Sequence, residues 1–200
     1  MTIDNDDLLN SIIASLGRID TISVDEIPGI DLYMDQLTSF MDERLKKTTR
    51  YPESDKILTK TMINNYTKND VLPPPIKKKY SKDHMCLLIL LYYFKNVLSI
   101  DDIQKIFHPL KEMFYDDKSK SIGIDEIYSQ IFTMEKKMTD KLTKDVLRRF
   151  QTSQEMFRDV KDEDEKDYLS RFAFICLLSF DAYLKKQMVE RLIDDTLSEI

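Results

Sequence analysis

The side chains best suited to chemistry are cations gathered in one stretch. Between Met41 and Lys82 lie eleven Lys and Arg (44, 46, 47, 50, 56, 60, 68, 77, 78, 79 and 82) against five Asp and Glu (42, 43, 53, 55 and 70), a local charge of +6. The whole 200-residue chain carries 30 basic and 36 acidic side chains, net −6, so the other 158 residues hold −12. A basic island of this kind suits phosphate, because every cation–phosphate contact releases a condensed counterion. The overall acidity argues against a uniformly basic nucleic-acid binder but not against one whose cations sit in one place. Charge alone fits a second reading equally: a solvated Lys-rich surface, paired in part with acidic helices of the same chain.

Spacing inside the island adds to the first reading. On a helix over 58–68, Leu58, Met62, Ile63 and Tyr66 turn inward, and Lys60, Asn64 and Lys68 recur at four-residue steps on another face, flanked by Thr61 and Asn65. An Asn on such a face can read adenine through two hydrogen bonds in the major groove, while Lys and Thr reach phosphates or base edges. Next comes Pro73-Pro74-Pro75-Ile76-Lys77-Lys78-Lys79-Tyr80. It reads as a stiff, basic projection suited to straddling a phosphate backbone. An exposed polar helix end is the plain alternative for Asn64-Asn65.

Other constellations are thin. His84 and His108 stand alone, and Cys86 and Cys176 lie in apolar runs, where they read as buried free thiols rather than ligands or a disulfide framework. Three scattered glycines cannot build a phosphate-cradling loop. Asp101-Asp102 and Asp116-Asp117 read as caps and surface loops. The expectation is a non-enzyme with no metal and no cofactor.

The elements that position the island are helical. Of three Gly and six Pro, none lies beyond Gly123, so the last 77 residues lack a strong helix breaker. The apolar pattern predicts a helix over Leu8–Leu16 stopped by Gly17, and a second carrying Ile30, Met34, Leu37, Met41 and Leu45. A third spans 58–68. Ser81 caps a fourth through 85–94, and Ser99 starts a fifth with Ile100, Ile103, Ile106 and Phe107. Beyond Gly123 two or three long helices are predicted, near 124–137, 140–158 and 163–198. Around Phe172–Phe180 the last one is apolar almost all round, which implies burial on several sides, in a core or a subunit interface. The acidic start Met1–Asp7 shows no secretory pattern, and the longest apolar runs are too short to span a bilayer. The chain reads as cytoplasmic, with no membrane contact.

Four runs carry a family resemblance: Asn64-Asn65-Tyr66, Asp70-Val71-Leu72-Pro73, Lys77-Lys78-Lys79-Tyr80-Ser81 and Leu98-Ser99-Ile100-Asp101-Asp102-Ile103. In order and spacing they resemble the DNA-binding head of MerR-type transcriptional regulators, with recognition helix, turn, basic wing and two following helices. The run 58–85 resembles more closely an uncharacterised bacterial family, a domain of unknown function distantly related to the same winged-helix class. Departures exist: Asn64 and Asn65 replace Arg and Tyr, Asp70 replaces the turn glycine, and the loop 48–57 is longer than a tight helix-turn-helix allows.

The resulting expectation is an all-α protein: an N-terminal helix and linker (1–29), a MerR-like winged helix-turn-helix head (30–113) and a long-helix dimerisation or effector bundle (114–200). The resemblance implies a homodimeric regulator of transcription on duplex DNA. Lys60, Thr61, Asn64, Asn65, Tyr66, Lys68, Lys77, Lys78, Lys79 and Tyr80 are the expected DNA contacts. The other reading is a helical adaptor whose basic wing binds an acidic protein partner.

Overall fold

The computed structural model describes residues 5–16, 22–115 and 122–197. Within them helix dominates, as the breaker-poor sequence predicts: α1 (Asn5–Leu16), α2 (Met34–Leu45), α3 (Lys60–Lys68), α4 (Lys82–Phe94), α5 (Ile100–Tyr115), α6 (Ile124–Met156) and α7 (Glu163–Leu197). The expected stop at Gly17 and the pair Asp116-Asp117 lie outside the described residues. Of the two or three long helices expected after Gly123, two are found among the described residues. The helices near 124–137 and 140–158 are a single 33-residue helix, α6. Nothing at Met138-Thr139 breaks a helix, and the Thr139 hydroxyl bonds back to the Glu135 carbonyl at 3.4 Å within it.

A small sheet accompanies the helices. Leu32–Tyr33 (β1) pairs antiparallel with Lys79–Tyr80 (β2), Leu32 facing Tyr80 and Tyr33 facing Lys79. A second antiparallel bridge joins Ile76 to Lys79.

The chain forms two compact units, one of Met1–Arg18 with Glu135–Val189, the other of Ile19–Met134 with Glu190–Ile200. The divisions fall inside α6 and α7. Helix continuity hides them, since no punctuation marks a change of packing partner within a long helix.

The larger unit is built around α4, whose residues from His84 to Tyr92 are all buried. Around it lie Leu37, Met41 and Leu45 of α2, Ile63 of α3, Ile103 and Phe107 of α5, and Ile124, Tyr128 and Phe132 of α6. The i, i+4 spacing within α2, α5 and α6 presents one stripe of each helix to that centre. In the smaller unit Val146, Phe150 and Phe174 form a core flanked by Leu9, Ile12 and Leu178. Arg149 closes it with hydrogen bonds to Asp145 at 2.6 Å, Asp181 at 3.1 Å and the Leu177 carbonyl at 3.3 Å. The Arg149 guanidinium holds the Asp145 carboxyl below its ordinary range. Among the described residues no helix is long and apolar enough to cross a membrane, and no group of three or more His, Cys, Asp or Glu is placed to hold a metal ion.

Candidate nucleic-acid interface

α3 begins where the Thr59 hydroxyl accepts the Met62 amide at 3.2 Å, and no acidic residue occupies its first turn. Its N-terminal dipole end is therefore left positive beside Lys60. The helix ends in a two-bond stop. The Val71 amide donates to the Tyr66 carbonyl at 2.9 Å and the Asp70 amide to the Thr67 carbonyl at 3.2 Å, with Asp70 at φ 60°. This is the geometry in which glycine usually closes a helix, and Asp is among the few residues that tolerate it. Asp70 adds an ion pair to Lys111 of α5.

Ile63 alone of α3 is fully buried, with Tyr66 half-buried against the core. Lys60, Thr61, Asn64, Asn65 and Lys68 are all exposed, as the helical spacing predicts. Lys60 is not unopposed: it forms an ion pair with Asp35 in the first turn of α2. Burial raises the Tyr66 hydroxyl's pKa, and the half-buried ring serves packing as well as any outward contact.

The lysine run is a two-residue hairpin. Ile76 and Lys79 exchange both backbone hydrogen bonds, at 3.0 and 2.9 Å, and Lys77 and Lys78 between them sit at φ 50° and 66°. Two consecutive positive φ values mark the tight turn that matches strand twist, and its usual residues are Asn and Gly. Two lysines there are strained, and both side chains point into solvent. The next residues alternate across the strand. Lys79 lies with its Nζ over the Tyr33 ring, 5.1 Å from the centroid.

Tyr80 turns inward and is 2% exposed. Its expected place among DNA contacts is therefore corrected: the two-residue period that leaves Lys79 outside sends Tyr80 into the core, edge-on to His84 at 5.4 Å. Burial raises its pKa, in keeping with a packed ring.

The segment is thus expected side chains in two groups, an α3 face and a hairpin tip, with Lys79 set against Tyr33 and Tyr80 withdrawn. Sequence reasoning passed over Tyr33 and Asp35. Both precede the island and contact it only because β1 runs beside β2 and α2 packs on α3.

Helices packed around α4 with a short two-stranded sheet that ends in a basic hairpin make this a mostly helical protein. Residues 22–131 match a family described as Domain of unknown function (DUF1836), which spans more than half of the chain, and the protein belongs to that family. No curated protein and no solved structure matches it.

Proposed function

We propose that this protein is a non-enzymatic, cytoplasmic regulator of transcription that binds duplex DNA through a MerR-like winged helix-turn-helix. α3 enters the major groove, with Asn64 and Asn65 at base edges and Lys60, Thr61 and Lys68 at base edges or phosphates. The hairpin lays Lys77 and Lys78 on the adjacent backbone. The C-terminal helices pair two chains, so two heads meet a two-fold-related site.

The observation that carries this reading is the hairpin tip. Left-handed geometry costs a non-glycine residue about 1–2 kcal/mol, and Asn-Gly would make the same turn at lower cost. Two lysines at φ 50° and 66° are poor for folding but place two ammonium groups in solvent at a protruding tip. Strain retained at a surface tip is a mark of function rather than of packing.

The test is retention of fragmented genomic DNA by the full chain across a salt series. Binding should weaken steeply with salt, and Lys77→Ala with Lys78→Ala should reduce the log–log slope by about 2, one unit for each phosphate contact. A folded protein that retains no DNA at low salt would overturn the reading. Capture by an acidic protein surface through the same lysines would replace it with the adaptor reading.

A further inference from the structure

A second cationic site lies away from the hairpin, where the loop between α2 and α3 meets the C-terminal end of α4. A cleft of about 400 Å³ is lined there by Arg50, Lys56, Lys95, Asn96, Tyr92 and Asp55, among others. That volume is in the range of sites for small organic ligands. Its chemistry is that of an anion site, with three cations facing one carboxylate.

Unlike four other cations of the same unit, none of these three has an acidic partner among the described residues. Arg44 pairs with Glu26, Lys46 with Glu53, Lys60 with Asp35 and Lys111 with Asp70. Among the described residues, no carboxylate is within ion-pair distance of Arg50, Lys56 or Lys95. Lys95 is half-buried, and its ammonium donates to the Ile57 carbonyl at 2.6 Å and lies 5.2 Å from the Tyr92 ring centroid. Two of its three N–H groups remain for a ligand. Burial depresses its pKa, a cost that a bound anion would relieve. Asp55, the one acid of the cleft, is outnumbered by the three cations, and its Oδ2 accepts the Tyr51 amide at 2.9 Å. The Tyr92 hydroxyl is fixed by Thr48 at 2.6 Å, and Asn96 spends one amide proton on the Tyr92 carbonyl at 2.9 Å, keeping the other. Lys95, Tyr92 and Asn96 are thus set before any ligand arrives.

We propose that this cleft binds the phosphoryl end of a small phosphorylated ligand, held by Arg50, Lys56, Lys95 and the spare Asn96 N–H. A concave pocket of this size suits a free phosphate ester better than the convex backbone of duplex DNA. The site is independent of the DNA-binding reading and stands if the hairpin binds no nucleic acid. It also has a route to α3, because Lys95 holds the carbonyl of Ile57, two residues before the Thr59 cap.

The full-length chain is titrated with inorganic pyrophosphate at constant ionic strength and followed by amide chemical shifts, without DNA. Saturable shifts centred on residues 49–57 and 95–96 are expected. Arg50→Gln and Lys95→Met should each weaken binding roughly tenfold or more, the scale of one lost hydrogen bond to a charged group. Arg50 is exposed, so its variant keeps the fold even where the loss of the Lys95–Ile57 bond loosens the loop. Three outcomes overturn the proposal: shifts that never saturate, shifts centred on Lys77 and Lys78, or an Arg50→Gln variant that titrates like the parent. In a second arm, a short DNA duplex is added to the pyrophosphate-bound protein. Displacement of pyrophosphate would assign the cleft to nucleic-acid backbone and overturn the small-ligand proposal. Undiminished occupancy supports it.

Discussion

His84 ties the proline run to the core: its Nε2–H donates to the Pro74 carbonyl at 3.3 Å, while Nδ1 accepts the Ser81 amide at 3.1 Å. Neither partner can exchange roles, since a carbonyl only accepts and an amide N–H only donates, so the ring is held as the neutral Nε2–H tautomer. The base of the lysine hairpin is therefore anchored through a buried histidine at the start of α4.

That anchor predicts a pH dependence. Burial lowers the His84 pKa from its ordinary 6.5, against smaller raising effects of the Pro74 and Pro73 carbonyls and the Asp31 charge. The unfolded chain thus takes up a proton at this residue before the folded one does. The stability His84 contributes is complete above pH 6.5 and declines as pH falls below it toward the depressed folded value. Urea midpoints measured from pH 7.5 to 5.5 should fall further for the parent than for His84→Asn, which keeps an acceptor for the Ser81 amide without a titrating ring. Equal slopes would remove His84 from the acid response.

The hairpin tip predicts a trade between stability and binding. Replacing Lys77-Lys78 by Asn-Gly installs residues that favour positive φ, and should stabilise the fold by about 1–2 kcal/mol in chemical denaturation. The same double variant should lose DNA affinity and salt dependence. Ala at both positions removes the same charges but leaves the strain. Comparing the two variants therefore separates backbone relief from lost cations.

Much of this was readable in advance, and the limits have physical causes. The inward face of α3 follows from a 3.6-residue period that Met62, Ile63 and Tyr66 satisfy within a single turn or so. Left-handed Asp70 follows from its place at a helix end ahead of Val71 and Leu72. Which lysines have acidic partners does not follow, because Asp35 and Lys60 are 25 positions apart and meet only through packing of α2 on α3. The triple lysine shows no turn signal, since Asn and Gly are absent. The alternation that hides Tyr80 starts only once Ile76 and Lys79 are paired. The cleft at Lys95 joins residues from a loop and a helix end some forty positions apart, which no local pattern connects.

The Lys60–Asp35 pair predicts a gain from removing an acid. Both side chains are largely exposed, 59% and 77%, so the pair contributes within about 1 kcal/mol to stability. Asp35→Asn should leave the thermal midpoint nearly unchanged while releasing Lys60 for phosphate. DNA retention should strengthen, with the salt slope steeper by up to about one unit. Unchanged retention would place Lys60 outside the DNA contact.

Tyr128 offers a purely structural test. Its hydroxyl donates to the Ile22 carbonyl at 2.6 Å in the buried interior, and burial raises its pKa. Tyr128→Phe keeps the ring against Phe132, 4.3 Å away between centroids, and leaves the Ile22 carbonyl without its donor. A loss of about 1–3 kcal/mol in urea unfolding is expected, the cost of one unsatisfied buried acceptor. DNA retention under folding conditions should not change.

The α7 surface gives the proposed dimer a specific register. Tyr168, Phe172, Ile175, Phe180, Leu184 and Met188 are between 53% and 71% exposed, an apolar run along the helix of the kind that marks interaction surfaces. A second copy laid antiparallel about Cys176 sets Phe172 against Phe180 and Tyr168 against Leu184. The same register brings Asp167 opposite Lys185, which a parallel arrangement would not do. It also brings the two Cys176 side chains together at the symmetry axis, whereas Cys86 is buried in the other unit. Sedimentation should therefore report a dimer that Phe180→Glu dissociates. Mild oxidation should produce a covalent dimer in the parent and none in Cys176→Ser. A dimer that survives Phe180→Glu, or one that never crosslinks through Cys176, would exclude this register.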